Sequence, residues 1–401
     1  MLRKKTLKDL DIEKKNLVIR IDIDASFEDG EFLEMKKLTR YRDALDYVVN
    51  KKAKVILLFE LGKNRVIYPK KISVKEIIDN LSQAFDLELA YFSGNSEKEM
   101  DFAIEEILPG EVLVWENLAL NDDELNNSAV FNKLMKWADL YVNDAFGVSA
   151  RSNYNSFNKL PKKVESSSGL VLNEEIEQLV GIFSKLERPF NVILGGLDID
   201  SFMIDHLMTL TEKADTVLFT GAWISYYAWQ LGEIEKEDWM DKKSLKSLEK
   251  IFTELLKKEN VHFPEDVKVY KKDQDGNLKI ANVFIDFIKK GLLIGDIGRR
   301  TLAHYKEIIE ESRLNLCLGS IGKWWIDGLD DGTLGIASSM SRAYGEKIIV
   351  ADDLIESLTN LGFSDLHRFS HIHYGDGESA LGFLINGSVA GIDNLKNSWN
   401  I

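Results

Sequence analysis

The sequence predicts an α/β protein of two lobes with mainly parallel sheets. Three observations carry that prediction. Short apolar runs read as buried strands, longer segments of helical spacing lie between them, and the chain outgrows one ordinary core. At 401 residues it suits two domains of ordinary size. Apolar residues make up 45% and charged residues 29%, enough to bury two cores and keep a polar surface.

The apolar runs are Asn16–Ile21, Lys54–Phe59, Val112–Trp115, Leu140–Val142, Asn191–Leu194, Thr216–Phe219, Leu314–Leu318 and Lys347–Val350. Helical spacing marks Leu38–Asn50, Ser73–Phe85, Ala129–Ala138, Glu174–Leu186, Ser244–Lys258, Thr301–Ser312 and Leu334–Tyr344. Strands alternating with helices make βαβ units, whose ligands sit at the carboxyl ends of the strands. The helical stretch Glu174–Leu186 runs into Glu187-Arg188-Pro189 and a new strand, so a connector between lobes is expected around Asn173–Arg188. The expected division is 1–172 for the N-terminal lobe, 173–187 for the connecting helix, 188–385 for the C-terminal lobe and 386–401 for a terminal segment.

Charge and composition narrow the function. A formal net charge of −15 argues against a general nucleic-acid binder and against docking on anionic lipid. No stretch approaches the ~18 uninterrupted apolar residues of a membrane span, so no membrane insertion is expected. Met1-Leu2-Arg3-Lys4-Lys5 is basic but no apolar run follows, so no secretory signal is expected. Cys317 is the one cysteine, which fits a reducing, cytoplasmic setting.

An ordered set of motifs resembles the phosphoglycerate kinase family over nearly the whole chain. In the first half these are Arg20-Ile21-Asp22-Ile23-Asp24-Ala25, Thr39-Arg40-Tyr41-Arg42, Lys54–Glu60-Leu61-Gly62-Lys63, Gly110–Trp115-Glu116-Asn117-Leu118 and Asp139–Gly147. The second half has Glu187-Arg188-Pro189-Phe190, Ile193-Leu194-Gly195-Gly196, Gly295-Asp296-Ile297-Gly298, Gly319-Ser320-Ile321-Gly322 and Ser370-His371. The resemblance implies two Rossmann-like three-layer α/β/α lobes. The N-lobe of that family takes 3-phosphoglycerate on a basic patch, and the C-lobe takes Mg-ATP on glycine-rich loops. The last residues return to the N-lobe.

Phosphoryl transfer is mostly positioning and neutralisation of negative charge, so cations and phosphate-cradling glycines decide it. Where the family carries two lysines after its first glycine pair, this chain has Asp198 and Phe202. Loss of a cationic clamp removes ~10³–10⁵ in rate, and Asp198 also reverses the sign. The glycine loops thin to Thr220-Gly221-Ala222-Trp223 and Val350-Ala351-Asp352-Asp353, and the last one becomes His373-Tyr374-Gly375-Asp376-Gly377-Glu378. Gly195, Gly196, Gly221, Gly319, Asp353, Gly375 and Gly377 are the nucleotide-site remnants. In the N-lobe, Asp22, Arg40 and Arg151 match the family's substrate-binding positions, whereas Glu60, Ala119 and Ala150 replace a histidine, an arginine and a histidine. Asp24 replaces an asparagine and Lys63 an arginine. The bland reading of Arg40 and Arg151 is salt bridging to acidic neighbours.

Other signals carry less. Trp223, Trp324 and Trp325 fall where the family binds nucleotide, so they are expected to plug the cleft, to anchor a partner, or to serve as plain core. Trp137, Trp229, Trp239 and Trp399 are candidates for exposed contact aromatics, with core burial as the alternative. His371 and His373 flank Ile372, but they lack a second ligand pair nearby, so no metal site is expected. Asp327–Gly332 is too short for a calcium loop, and no P-loop is present. Two readings follow. The first is a non-catalytic relative without cofactor, serving protein subunits of a larger complex, possibly beside an ATPase motor, in a structural or regulatory role. The alternative is a phosphoglycerate kinase of weak or altered activity that uses Mg-ATP.

Overall fold

The structure is a computed structural model. It describes residues 4–23, 27–28, 31–32, 35–59, 74–92, 96–115, 128–183, 185–199, 201–234, 242–350, 352–373 and 377–397. The side chains of residues 27–28, 31–32, 36, 74, 201–202, 242–244 and 352 lie outside that description. The chain forms two compact units, Met1–Leu179 with Gly382–Ile401, and Val180–Leu381.

In the first unit, β1 (Asn16–Ile21), β4 (Lys54–Leu58), β5 (Ala90–Phe92), β6 (Val112–Trp115), β7 (Leu140–Asp144) and β8 (Glu165–Ser168) form a six-stranded sheet. Its order is β5-β6-β4-β1-β7-β8, and every pairing is parallel. β2 (Phe27–Glu28) and β3 (Glu31–Phe32) make a small antiparallel pair. Parallel strands are covered on both faces and so read as continuous apolar runs. Leu17, Ile19 and Ile21 of β1 alternate with Val18 and Arg20, and the first set joins Val55, Leu57, Val112, Val114, Leu140 and Val142 in one core. Each such side chain contributes ~1.5–3 kcal/mol by leaving water.

The second unit repeats the design. β9 (Phe190–Leu194), β10 (Thr216–Phe219), β11 (Val261–His262), β15 (Leu314–Leu318), β16 (Glu346–Val350) and β17 (His371–His373) form a parallel sheet in the order β11-β10-β9-β15-β16-β17. A separate antiparallel sheet, β13-β12-β14, is built from β12 (Asp266–Lys272), β13 (Leu278–Phe284) and β14 (Leu293–Ile297). The strand order reverses at β1 in the first unit and at β9 in the second. Ligands of open α/β sheets bind beside such a reversal, at the carboxyl ends.

The predicted fold class is found, with differences in its parts. The helical stretch from Leu38 divides into Met35–Thr39 and Arg42–Asn50. The break frees Tyr41 to donate its hydroxyl proton to the Asp22 carbonyl at 2.9 Å. The connector helix is Leu170–Phe183, beginning and ending earlier than expected. Its start is fixed by Asp144, whose Oδ1 accepts the Leu172 N–H at 2.7 Å. The antiparallel sheet was not expected, because β12 and β13 carry lysines and polar residues on their solvent face and lack a continuous apolar run.

Gly319 has φ +80°, and a Cβ there would meet the backbone of Gly196 and Gly195. Gly319→Ala therefore combines left-handed strain with backbone overlap. It is expected to destabilise the second unit by more than about 2 kcal/mol. Urea unfolding of the variant beside the wild type measures this, and an unchanged midpoint would contradict the packing described.

Candidate active site

In the second unit the carboxyl ends of β9, β10 and β15 are tied backbone to backbone. Gly195 N–H donates to Leu318 O at 2.7 Å and Gly196 N–H to Ser320 O at 2.8 Å. Gly221 N–H donates to Ile321 O at 2.8 Å and Ala222 N–H to Gly196 O at 2.9 Å. Gly196 and Gly221 have φ of +110° and +58°. A Cβ on Gly195 or Gly221 would overlap neighbouring backbone. These glycines permit close approach, and their N–H groups are engaged by protein carbonyls rather than aimed at a ligand.

Above this junction lies a cavity of about 210 Å³. Glycines 196, 221, 295 and 322 line it with apolar Leu197, Ala222, Ile224, Ile294 and Ile321, together with Ser225, Asp198, Asp296 and Lys323. Asp198 is exposed in the loop after β9. Asp296, at the end of β14, is buried. Its oxygens accept the Ile297 N–H at 2.8 Å and the Gly332 N–H at 2.7 Å. Burial pushes its carboxyl up to about 7, against those two hydrogen bonds and the Lys268 ammonium.

Asp353 stands at the start of the helix Asp352–Asn360. Its Oδ2 accepts the Ser320 N–H at 3.1 Å and the Ser320 hydroxyl at 2.7 Å, and its Oδ1 accepts the Leu354 N–H at 2.8 Å. Gly377 opens the helix Gly377–Asn386. Phe202 lies on the helix Ser201–Lys213, its side chain outside the described residues, as is Gly375 entirely.

The tryptophans do not plug the cavity. Trp223 is fully buried, its Nε1–H donating to Gly195 O at 3.2 Å and its ring edge-on to Phe219. Trp324 is half-buried and meets the exposed Trp325 edge to face at 6.0 Å. Among the described residues, no tryptophan lines the cavity. Trp137 and Trp229 are half-buried, and Trp239 and Trp399 lie outside the described residues. His371 and His373 are buried on β17 with stacked rings.

In the first unit, Arg20, Asp22 and Asp144 gather at the ends of β1 and β7, where Ile21 pairs with Asp144. Arg20 is fully buried with its guanidinium 5.6 Å from the Phe157 ring centroid. Arg40 donates from Nη2 to Glu175 at 2.8 Å, with Glu174 at 3.8 Å. That is the salt bridging the sequence allowed for, made to partners on the connector helix. Arg151 donates to the Tyr154 hydroxyl at 3.3 Å and lies over its ring. Ala150 lies in the turn before Arg151. Asp24, Glu60, Lys63 and Ala119 fall outside the described residues. Burial also pushes the Asp144 carboxyl up to about 7, against N–H groups of residues 170–172 at the helix start.

Two residues were missed from sequence. Arg20 sits inside a quoted motif, but its burial is visible only once the strand is placed. Lys323 follows Gly322 as a lone lysine in a loop, and only the cavity reveals its position.

The phosphoglycerate kinase family model matches residues 7–386. The chain belongs to the phosphoglycerate kinase family. The phosphoglycerate kinase of Finegoldia magna is 30% identical over 404 residues, covering 98% of this chain and 99% of the relative. That of Macrococcus caseolyticus is 28% identical, again over 98% and 99%. The solved phosphoglycerate kinase of Pyrococcus horikoshii has a TM-score of 0.78 at 23% identity over 98% of each chain, and that of Coxiella burnetii 0.72 at 20%. These last two likenesses establish the fold. The match to phosphoglycerate kinases along 98% of the chain overturns the expectation of a non-catalytic structural or regulatory subunit and fits the phosphoglycerate kinase alternative better. Among the described residues no helix is long and apolar enough to cross a membrane.

Asp144 and Asp296 give a pH signature. Each carboxyl titrates near 7 when folded and near ~3.9 when unfolded. Folding therefore favours the protonated form. That contribution is full below about pH 4 and is lost as pH rises to about 7, at roughly 1.4 kcal/mol per pH unit per group. Melting temperatures of Asp144→Asn and Asp296→Asn should decline less steeply than wild type between about pH 4.5 and about pH 7. Parallel slopes would contradict these protonation states.

Proposed function

We propose that the chain is a phosphoglycerate kinase that moves a phosphoryl group between a nucleotide and 3-phosphoglycerate, with turnover slower than the family's. The observation that carries this reading is the match to phosphoglycerate kinases along 98% of the chain. The geometry agrees with it. Each unit keeps polar and charged groups at the carboxyl ends beside its strand reversal. In the first unit these are Arg20, Asp22, Arg40 and Arg151, suited to a phosphorylated carboxylate. In the second a cavity opens on the glycine junction, suited to part of a nucleotide.

Magnesium enters with the nucleotide as part of the substrate. Asp353 accepts three hydrogen bonds, which hold its carboxylate against the Ser320 loop. The chain's own work is to bind and orient. Arg40 must exchange Glu175 for the substrate's anionic group, which sets a binding penalty before any chemistry. Asp198 faces the donor side with the wrong sign. At ~4 Å from a phosphate charge it costs about 4 kcal/mol at an effective dielectric near 20. Slow turnover follows from those two features. Work in the cytoplasm belongs to the same reading and is supported by the single cysteine.

A coupled assay in both directions at high enzyme concentration tests the proposal. Turnover is expected below about 1 s⁻¹, under the usual range for kinases. Arg40→Ala should lower it by about tenfold or more, and Asp198→Lys should raise it by a similar factor. Turnover indifferent to both substitutions would count against this site.

A further inference from the structure

We infer that Asn143 is a positioning residue for Arg151: its buried amide clamps the turn that leads into this arginine onto the backbone of Gly391. This rests on the phosphotransfer reading only in taking Arg151 as a contact of 3-phosphoglycerate.

Asn143 is fully buried on β7, one residue before Asp144. The sheet fixes its main chain, where it pairs with Arg20 of β1 and Ser168 of β8. A buried amide must place two N–H donors and one carbonyl oxygen. Asn143 Oδ1 accepts the Ala145 N–H at 3.0 Å. Its Nδ2 donates to Ser149 Oγ at 3.0 Å and to Gly391 O at 3.0 Å. Both donors and the acceptor are in use, so the side chain has one orientation.

The turn from Ala145 to Ser149 closes around that amide. Ser149 Oγ donates to Ala145 O at 2.7 Å, and Ser149 N–H donates to Phe146 O at 2.9 Å. Gly391, in the short helix Ala390–Asp393, donates its N–H to Ser149 O at 2.8 Å. A Cβ on Gly391 would stand 2.7 Å from Ser149 Oγ and 3.0 Å from Asn143 Nδ2, so the C-terminal segment approaches the turn through bare backbone. Arg151 follows two residues on, its N–H donating to Val148 O at 3.2 Å. Its guanidinium donates to the Tyr154 hydroxyl and lies over that ring, which stacks on Phe157. Phe157 O in turn accepts Asn394 Nδ2 at 2.9 Å. The main chain and the side chain of Arg151 are therefore both set against the C-terminal segment, the first of them through Asn143. A satisfied buried network of this kind specifies one arrangement, and the group it aims at the substrate is the Arg151 guanidinium.

Calorimetric titration of the full chain with 3-phosphoglycerate, run as a double-mutant cycle, tests this. Asn143→Ala should weaken binding by about tenfold or more, since a displacement of about 1 Å spoils the fit of a charged group. Ser149→Ala removes one partner of the amide and should weaken binding less. Added to Arg151→Ala, neither substitution should weaken binding further, because the residue they position is gone. If Asn143→Ala does not fold, the Ser149 arm of the cycle decides. A loss of equal size with and without Arg151 would mark a structural role alone and overturn the inference. So would unchanged affinity in Ser149→Ala and Asn143→Ala, or no binding of 3-phosphoglycerate by the wild type. The predicted coupling, found in a protein without turnover, would leave this inference standing and overturn the phosphotransfer reading instead.

Discussion

The backbone junction at the carboxyl ends of β9, β10 and β15 is the constraint on which the second unit depends. Three loops meet there through N–H to carbonyl bonds, with Gly195, Gly221 and Gly319 placed where any Cβ would overlap backbone. Such a junction cannot relax by a rotamer change, because the atoms in conflict are main chain. The adjoining side chains are under no such restriction. Asp198 and Lys323 follow the glycines on two of these loops, and Lys323 is held by the Gly295 carbonyl and the Tyr270 hydroxyl. Charge at the cavity can therefore change while the glycines cannot. This separates two kinds of information in one motif: the glycines report the fold, and the charged residues report the chemistry.

The first unit obeys a similar logic with a carboxylate in place of glycine contacts. Asp144 ends β7 and accepts the Leu172 N–H at the start of the connector helix, where the N–H groups offset only part of the burial that raises its carboxyl. Gly169 beside it has no room for a Cβ against that carboxyl. The same helix carries Glu174 and Glu175, which engage Arg40. The element that positions the helix thus also decides what Arg40 does at rest. An arginine paired to a buried glutamate is not a vacant anion site. It becomes one only when a substrate offers a better partner than Glu175.

Much of the fold was legible because parallel strands buried on both faces leave continuous apolar runs, such as Asn191–Leu194 and Leu314–Leu318. The antiparallel sheet was not legible, because one face of β13 is exposed and lysines interrupt β12. The break at Arg40-Tyr41 was hidden as well, since the spacing of Leu38, Leu45 and Val48 continues across it. At the site, substitutions such as Asp198 were plain in the sequence, but their weight was not. Reading them as loss of function rested on finding no obvious Arg or Lys in the matching loops to compensate for the missing lysines. Lys323 lies far from Asp198 in sequence and meets it only across the cavity. Trp223 misled for the same reason: a tryptophan beside a glycine loop suggested a plug, whereas it packs beneath the loop against Phe219.

The central claim is that this chain still transfers phosphate. A single-turnover experiment with γ-labelled Mg-ATP, 3-phosphoglycerate and enzyme in excess addresses it without dependence on coupling enzymes. Labelled phosphate appearing on the acyl position of the glycerate, at a rate that falls when Arg40 is removed, is the predicted result. Label remaining on ATP through prolonged incubation, with both ligands demonstrably bound, would contradict it.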